Sequence, residues 1–119
     1  MLHTIRLKRN KVFKYILKNG EFFKGKYVSI HITKINKNTD NVDRNYFGIC
    51  ISKKNGNSVN RNKIKRWVRE IYKNMEINLK TGYNIVIVIK KYVTVYNTDY
   101  HKLYDDIENI FKGLDLYEN

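Results

Sequence analysis

The sequence predicts a two-layer α/β sandwich, one small mixed sheet carrying three helices, in a single domain over residues 1–119. Three observations predict it. Segments at 27–35, 46–52 and 83–90 alternate or run apolar as strands do, and segments near 10–19, 58–75 and 98–114 space their apolar residues as helices do. The chain has 119 residues and neither an internal repeat nor a linker, which suffices for one core and no more. The expected order is α-β-β-α-β-α, with room for a short extra strand at "EFF".

In "RNKVFKYILKNG" Asn10 is placed to cap a short helix, Val12, Phe13, Ile16 and Leu17 share a side, and Gly20 supplies the stop. "KYVSIHITKI" alternates: Val28, Ile30 and Ile32 face one way, Tyr27, Ser29, His31 and Thr33 the other. Residues 36–45 are polar turn material. "YFGICIS" turns Phe47, Ile49 and Ile51 inward and Gly48, Cys50 and Ser52 outward, and "KKNGN" breaks that strand. After Gly82, "YNIVIVIK" is the most apolar strand and is expected at the sheet's centre. The last helix runs from about Thr98, with Leu103, Ile107, Ile110, Phe111 and Leu114 on one stripe.

The charge balance narrows the function. Twenty-four Lys and Arg against eleven Asp and Glu leave +13, a field that points to a polyanionic partner, nucleic acid first. A membrane partner is not expected, because no apolar run approaches the ~20 residues of a span and no basic helix pairs with an exposed aromatic face. The single Cys50 excludes an internal disulfide and fits a reducing compartment, so a cytoplasmic protein is expected.

The long helix carries that charge in an unusual place. Ile64, Trp67, Val68, Ile71, Tyr72 and Met75 form an apolar stripe, with Trp67 expected mid-stripe and buried. Asn62, Arg66, Arg69 and Lys73 share the opposite row, with Lys65 beside it and Arg61 near the flank of the stripe. A helix N-terminus is partially positive and favours Asp or Glu, yet this one begins with Arg61 and Lys63 behind Lys53 and Lys54. A solvated face would mix signs at i, i+4 spacing. Here residues 53–73 hold eight basic side chains and one acid, Glu70. An anion offsets that repulsion: unpaired amides of "KKNGNS" and the first helical turn can wrap a phosphate, with Arg61 and Lys63 adding charge.

The stretch "SKKNGNSVNRNKIKRWVRE" resembles the signature of the bacterial ribonuclease P protein subunit. Ser52, Lys53, Lys54, Gly56, Asn57, Arg61, Asn62, Lys65, Arg66 and Arg69 fit its pattern. Lys63 stands where the family's Arg-Asn-Arg has its second Arg, keeping charge but losing the bidentate fork. The likeness extends along nearly the whole chain, with the flanking elements in family order. It implies a subunit of a ribonucleoprotein endonuclease that removes the 5′ leader of precursor tRNA. Its expected partners are the ribonuclease P RNA and precursor tRNA, with no small-molecule substrate. The RNA subunit would perform the magnesium-dependent hydrolysis, and the protein itself would need no cofactor. The resemblance also implies a left-handed crossover around the long helix, against the general rule. Residues Lys53, Lys54, Asn57, Arg61, Asn62, Lys63, Lys65, Arg66 and Arg69 would bind RNA. Phe13 and Leu17 match the family's two first-helix aromatic positions, the second now aliphatic. His31 matches a strand Tyr, and with Tyr27 on the same face these would hold the single-stranded leader.

Two other functions compete. A protein nuclease would need carboxylates, or His with carboxylates, converging on a metal or a water. Asp105, Asp106 and Glu108 lie together on the last helix, but His3, His31 and His101 are scattered and Cys50 has no partner for zinc, so no catalytic residue is expected. A ribosomal-protein-like binding module of another assembly would share the charge. The mostly ionic helix face suits phosphates rather than base edges.

Overall fold

A computed structural model describes residues 3–35 and 43–117. The elements in order are β1 (Thr4–Arg6), α1 (Asn10–Asn19), β2 (Glu21–Lys24), β3 (Val28–Lys34), β4 (Asn45–Cys50), α2 (Ser58–Met75), β5 (Tyr83–Ile89) and α3 (Tyr100–Gly113). The strands form one mixed sheet in the order β1-β4-β5-β3-β2. β4 pairs parallel to both β1 and β5, and β3 runs antiparallel to both β5 and β2. "YNIVIVIK" is thus the central strand, as its uninterrupted apolar run requires.

Two layers cover the sheet unequally. Val28, Ile30 and Ile32 of β3, Phe47 of β4 and Ile85, Ile87 and Ile89 of β5 point into the main core. There they meet Ile64, Val68, Ile71, Tyr72 and Met75 of α2 and Leu103, Ile107, Ile110 and Phe111 of α3. On the opposite face the buried apolar side chains among the described residues are Leu7, Ile16 and Val86, under α1. No helix of the described residues is long and apolar enough to cross a membrane.

Several expectations change. β1 is an addition to the expected order: three residues are too few to show alternation, and it is held from outside. The buried Glu76 accepts from the His3 amide and the Thr4 hydroxyl, and Thr4 Oγ1 lies 2.8 Å from the Tyr72 hydroxyl. Burial and the Glu76 charge raise the Tyr72 phenol to about 12, against the lowering by its Thr4 bond. "EFF" does form a strand, β2, exposed along its length at the sheet edge. Arg9 rather than Asn10 stands at the start of α1, with no side-chain cap. Gly20 ends α1 in extended backbone and is required for close approach, since a Cβ there would sit 2.6 Å from the Ile16 carbonyl and 2.7 Å from that of Ile32. α3 begins at Tyr100, where the Asp99 side chain accepts the Lys102 amide. The polar turn expected at 36–45 lies mostly outside the described residues, and its last residue, Asn45, already opens β4.

Candidate nucleic-acid interface

The lead-in to α2 is organised by one buried side chain. Asn55, fully enclosed, accepts at Oδ1 from the Ser52 amide (3.0 Å) and hydroxyl (3.3 Å), and donates through Nδ2 to the carbonyls of Lys90 (2.8 Å) and Val93 (2.7 Å). This folds residues 53–55 into a short 3-10 turn that leaves Lys53 and Lys54 exposed. Gly56 follows at φ +130°, a conformation that favours glycine. Asn57 then caps α2, its Oδ1 accepting the Asn60 amide at 2.9 Å.

These bonds narrow the expected phosphate cradle. The amides of Lys54, Asn55, Gly56, Asn60 and Arg61 are all used within the chain, which leaves those of Lys53, Asn57, Ser58 and Val59 without a hydrogen-bond partner among the described residues. The Asn57 carbonyl side chain is committed to its cap, so only its Nδ2 is available outward.

Along α2 the expected row is present. Asn62, Arg66, Arg69 and Lys73 are exposed, and Val59, Asn62, Lys63, Arg66 and Arg69 enclose a shallow dip on the helix surface. The ion pairs Lys80–Asp115 and Lys112–Glu108 engage none of the cations of residues 53–73. Lys63 leans off the row, its Nζ 5.3 Å from the centre of the Trp67 ring. Trp67 is half-buried, not buried as expected: Ile64, Val68 and Ile71 take the centre of the stripe, and Trp67 packs on its flank. Arg61 is also half-buried, with its Nε enclosed and without a hydrogen-bond partner.

The second group sits on the thinly covered sheet face. Cross-strand pairing sets Phe22, His31, Val86 and Gly48 in one row from edge strand β2 to β4. Phe13 of α1 closes the Gly48 end: a Cβ on Gly48 would lie 2.3 Å from its Cζ, so glycine admits the ring to the sheet. At the other end His31 stacks on Phe22 with centroids 5.3 Å apart. His31 Nε2 is 3.3 Å from Ser29 Oγ, Nδ1 is enclosed without a partner, and burial lowers its pKa. Beside this row runs a half-buried strip, Ser29, Val88 and Cys50, and burial raises the Cys50 thiol. Leu17 is exposed, and so is Phe22, an aromatic not expected here because "EFF" is too short to show which way its rings point.

Tyr27 does not join this face. It precedes β3 rather than belonging to it, and its ring is buried in the main core. The cause is Asp106, itself buried, whose carboxylate accepts the amides of Lys26 (2.7 Å), Tyr27 (2.8 Å) and Val28 (3.1 Å). That grip bends the chain and breaks the alternation one residue before the strand. It also gives one member of the acidic group at 105–108 a structural task. Among the described residues no three His, Cys, Asp or Glu side chains converge as metal ligands would.

The two groups meet at one place. Beyond Leu7, β1 no longer covers the edge of β4, and a cleft of about 90 Å³ opens between α1 and α2. Phe13 of α1, Lys65 and Arg69 of α2, and Phe47, Gly48 and Ile49 of β4 line it.

A family model described as Ribonuclease P matches residues 1–115. The chain belongs to the ribonuclease P protein family. Ribonuclease P protein components of Clostridium botulinum and Clostridioides difficile are each 32% identical to it, over 94% of this chain and 96% of the first, and 95% of this chain and 94% of the second. The RNase P protein of Staphylococcus aureus superposes with a TM-score of 0.78 at 26% identity, covering 95% of this chain and 97% of its own. That of Thermotoga maritima, at 24% identity, shares the fold with a TM-score of 0.75 over 92% of this chain and 96% of its own. As a ribonuclease P protein, the chain is a component of the ribonucleoprotein endoribonuclease of tRNA processing.

Proposed function

We propose that the chain binds the ribonuclease P RNA through the exposed face of α2 and its lead-in turn, and the 5′ leader of precursor tRNA on the face bearing Phe13, Leu17 and His31. The observation that carries the reading is the exposed row Asn62, Arg66, Arg69 and Lys73, preceded in the chain by exposed Lys53 and Lys54, on a helix whose one acid is Glu70. Phosphates contacted by such a row release counterions, which supplies affinity without sequence preference.

The protein lowers the magnesium requirement of its RNA partner and performs no bond chemistry. Cations at an RNA junction reduce phosphate repulsion that divalent ions would otherwise screen. Magnesium belongs to the RNA subunit, which carries out the hydrolysis. A leader held beside α1 is present in the precursor and absent from mature tRNA, so the complex favours substrate over product. Such work places the chain in the cytoplasm, with tRNA precursors.

Reconstitution tests this. With a bacterial ribonuclease P RNA, precursor cleavage at low magnesium should rise when the chain is added, and binding should favour precursor over mature tRNA. Cleavage of precursor by the protein alone, or no effect of the protein at low magnesium, rejects the proposal.

A further inference from the structure

We propose that the connection between β5 and α3 carries a second single-strand contact, in which Tyr92 and Tyr96 stack on unpaired RNA bases and Lys53, Lys54, Lys90 and Lys91 hold the flanking phosphates. The inference adds an RNA contact to the reading above and rests on it.

The connection is two turns in succession, each closed by a backbone bond: Val93 N–H to the Lys90 carbonyl at 3.0 Å and Asn97 N–H to the Thr94 carbonyl at 3.3 Å. Their sequences, Lys-Lys-Tyr-Val and Thr-Val-Tyr-Asn, put a tyrosine at the third position of both. Both rings point into water, Tyr92 at 57% exposure and Tyr96 at 87%.

The backbone beneath them is fixed. Val93 and Thr98 are buried, Asn97 accepts the Thr94 amide at 2.9 Å and donates to the Tyr92 carbonyl at 2.7 Å, and the Tyr92 hydroxyl donates to the Lys26 carbonyl. A ring presented on fixed backbone loses little conformational freedom when a base stacks on it.

The cations are fixed to the same place. Asn55 binds the Lys90 and Val93 carbonyls from the turn that displays Lys53 and Lys54, so the two lysine pairs flank one shared contact. Residues 90–97 contain no acid, and the nearest one after them, Asp99, caps α3. Aromatic faces open to water on a connection that carries cations and no acid suit an unpaired nucleotide, whose base is free to stack, better than a duplex. Two turn tips bury too little apolar surface to favour a membrane, which is gripped by a long amphipathic face.

The unpaired nucleotide can come from the distal leader or from the RNA subunit, and the test separates them. Tyr96 is the residue to change, since the Tyr92 hydroxyl has a structural bond. In the full chain, Tyr96→Ala should leave the melting temperature unchanged and weaken binding to an oligouridine about five- to tenfold, while Tyr96→Phe stays within about twofold. The salt slope should not move, because no charge is removed. A loss on precursor with a long leader but not a short one assigns the leader; a loss on the RNA subunit assigns that subunit. Unchanged affinity on all three RNAs overturns the proposal. So does a Tyr96→Phe loss equal to that of Tyr96→Ala, or a loss seen only on phosphatidylglycerol vesicles. Arg66→Ala with Arg69→Ala is the control. If that pair weakens RNA binding and Tyr96→Ala does not, this inference alone fails; if neither does, the reading beneath it fails too.

Discussion

The two faces of the sheet have been built to different standards. Under α2 and α3 the sheet is sealed, with Phe47 stacked on Tyr72 at 4.0 Å between centroids and Phe111 and Leu103 wholly enclosed. Under α1 the buried apolar side chains of the described residues are Leu7, Ile16 and Val86, and Phe13, Tyr46, Cys50 and Val88 are left half-covered around them. The first face holds the fold together. The second is underfilled, which leaves apolar and aromatic surface partly uncovered.

Stability should divide accordingly. Phe111→Ala should cost ~3–5 kcal/mol, whereas Ile16→Ala should fall at the low end of ~2–5 kcal/mol because the thin layer around it can close or admit water. Denaturant unfolding of both variants checks this, and equal losses would remove the distinction between the faces.

Gly48→Ala sharpens the comparison at a single point of packing. A methyl group 2.3 Å from the Phe13 ring forces that ring off the sheet, at ~1–3 kcal/mol for overpacking. Leader-dependent preference for precursor should fall in the folded variant, while affinity for the RNA subunit should hold. A variant with wild-type preference would remove Phe13 from the leader site.

Arg66→Ala with Arg69→Ala should do the converse. Both side chains are exposed, with Arg69 also at the rim of the cleft beside Phe13, so the melting temperature should stay within about a degree, as for surface changes generally. The dependence of RNA affinity on salt should flatten by roughly 0.7–0.9 units for each phosphate left without its cation. An unchanged slope would mean that this row does not touch phosphate.

The smallest expected effect is a pH dependence on the underfilled face. Burial lowers the His31 pKa, so the unfolded chain binds the proton more readily. The stability tied to neutral His31 is fully present above the unfolded value of about 6.5 and is lost as pH falls through the lower folded value. His31→Gln should therefore show a shallower drop in melting temperature between about pH 7.5 and 5. An identical drop in both proteins would assign the acid sensitivity to other groups.

The sequence shows most of what depends on periodicity and little of what depends on distant partners. The stripe Ile64, Val68, Ile71, Tyr72, Met75 and the alternation in β3 and β4 carry the helix phase and the inward faces correctly. Tyr27 follows the same alternation and yet lies on the other face, because its position is decided by Asp106, 79 residues away. β1 is invisible for a similar reason, being held by Glu76 and by β4 rather than by any pattern of its own. On α2 the basic row is legible as a run of charges. Asn55 is not, since nothing in "KKNGN" says which asparagine turns inward to bind a neighbouring loop.

The place of β5 in the sheet has a consequence for how the chain is made. β3 and β4 bond to β5 on its two sides and not to each other, yet β5 is synthesised after both. During translation at ~5–20 residues per second, a finished β3 waits roughly 3–10 seconds before residue 89 exists. Through that interval two strands with bare edges and apolar faces, on a chain of strong positive charge, stand in a cell full of nucleic acid. The last strand to be added is the one that joins the halves, so the nascent protein cannot close its sheet in stages. β3 can pair with β2 and β4 with β1 earlier, but the edge that each turns to β5 stays bare until β5 arrives.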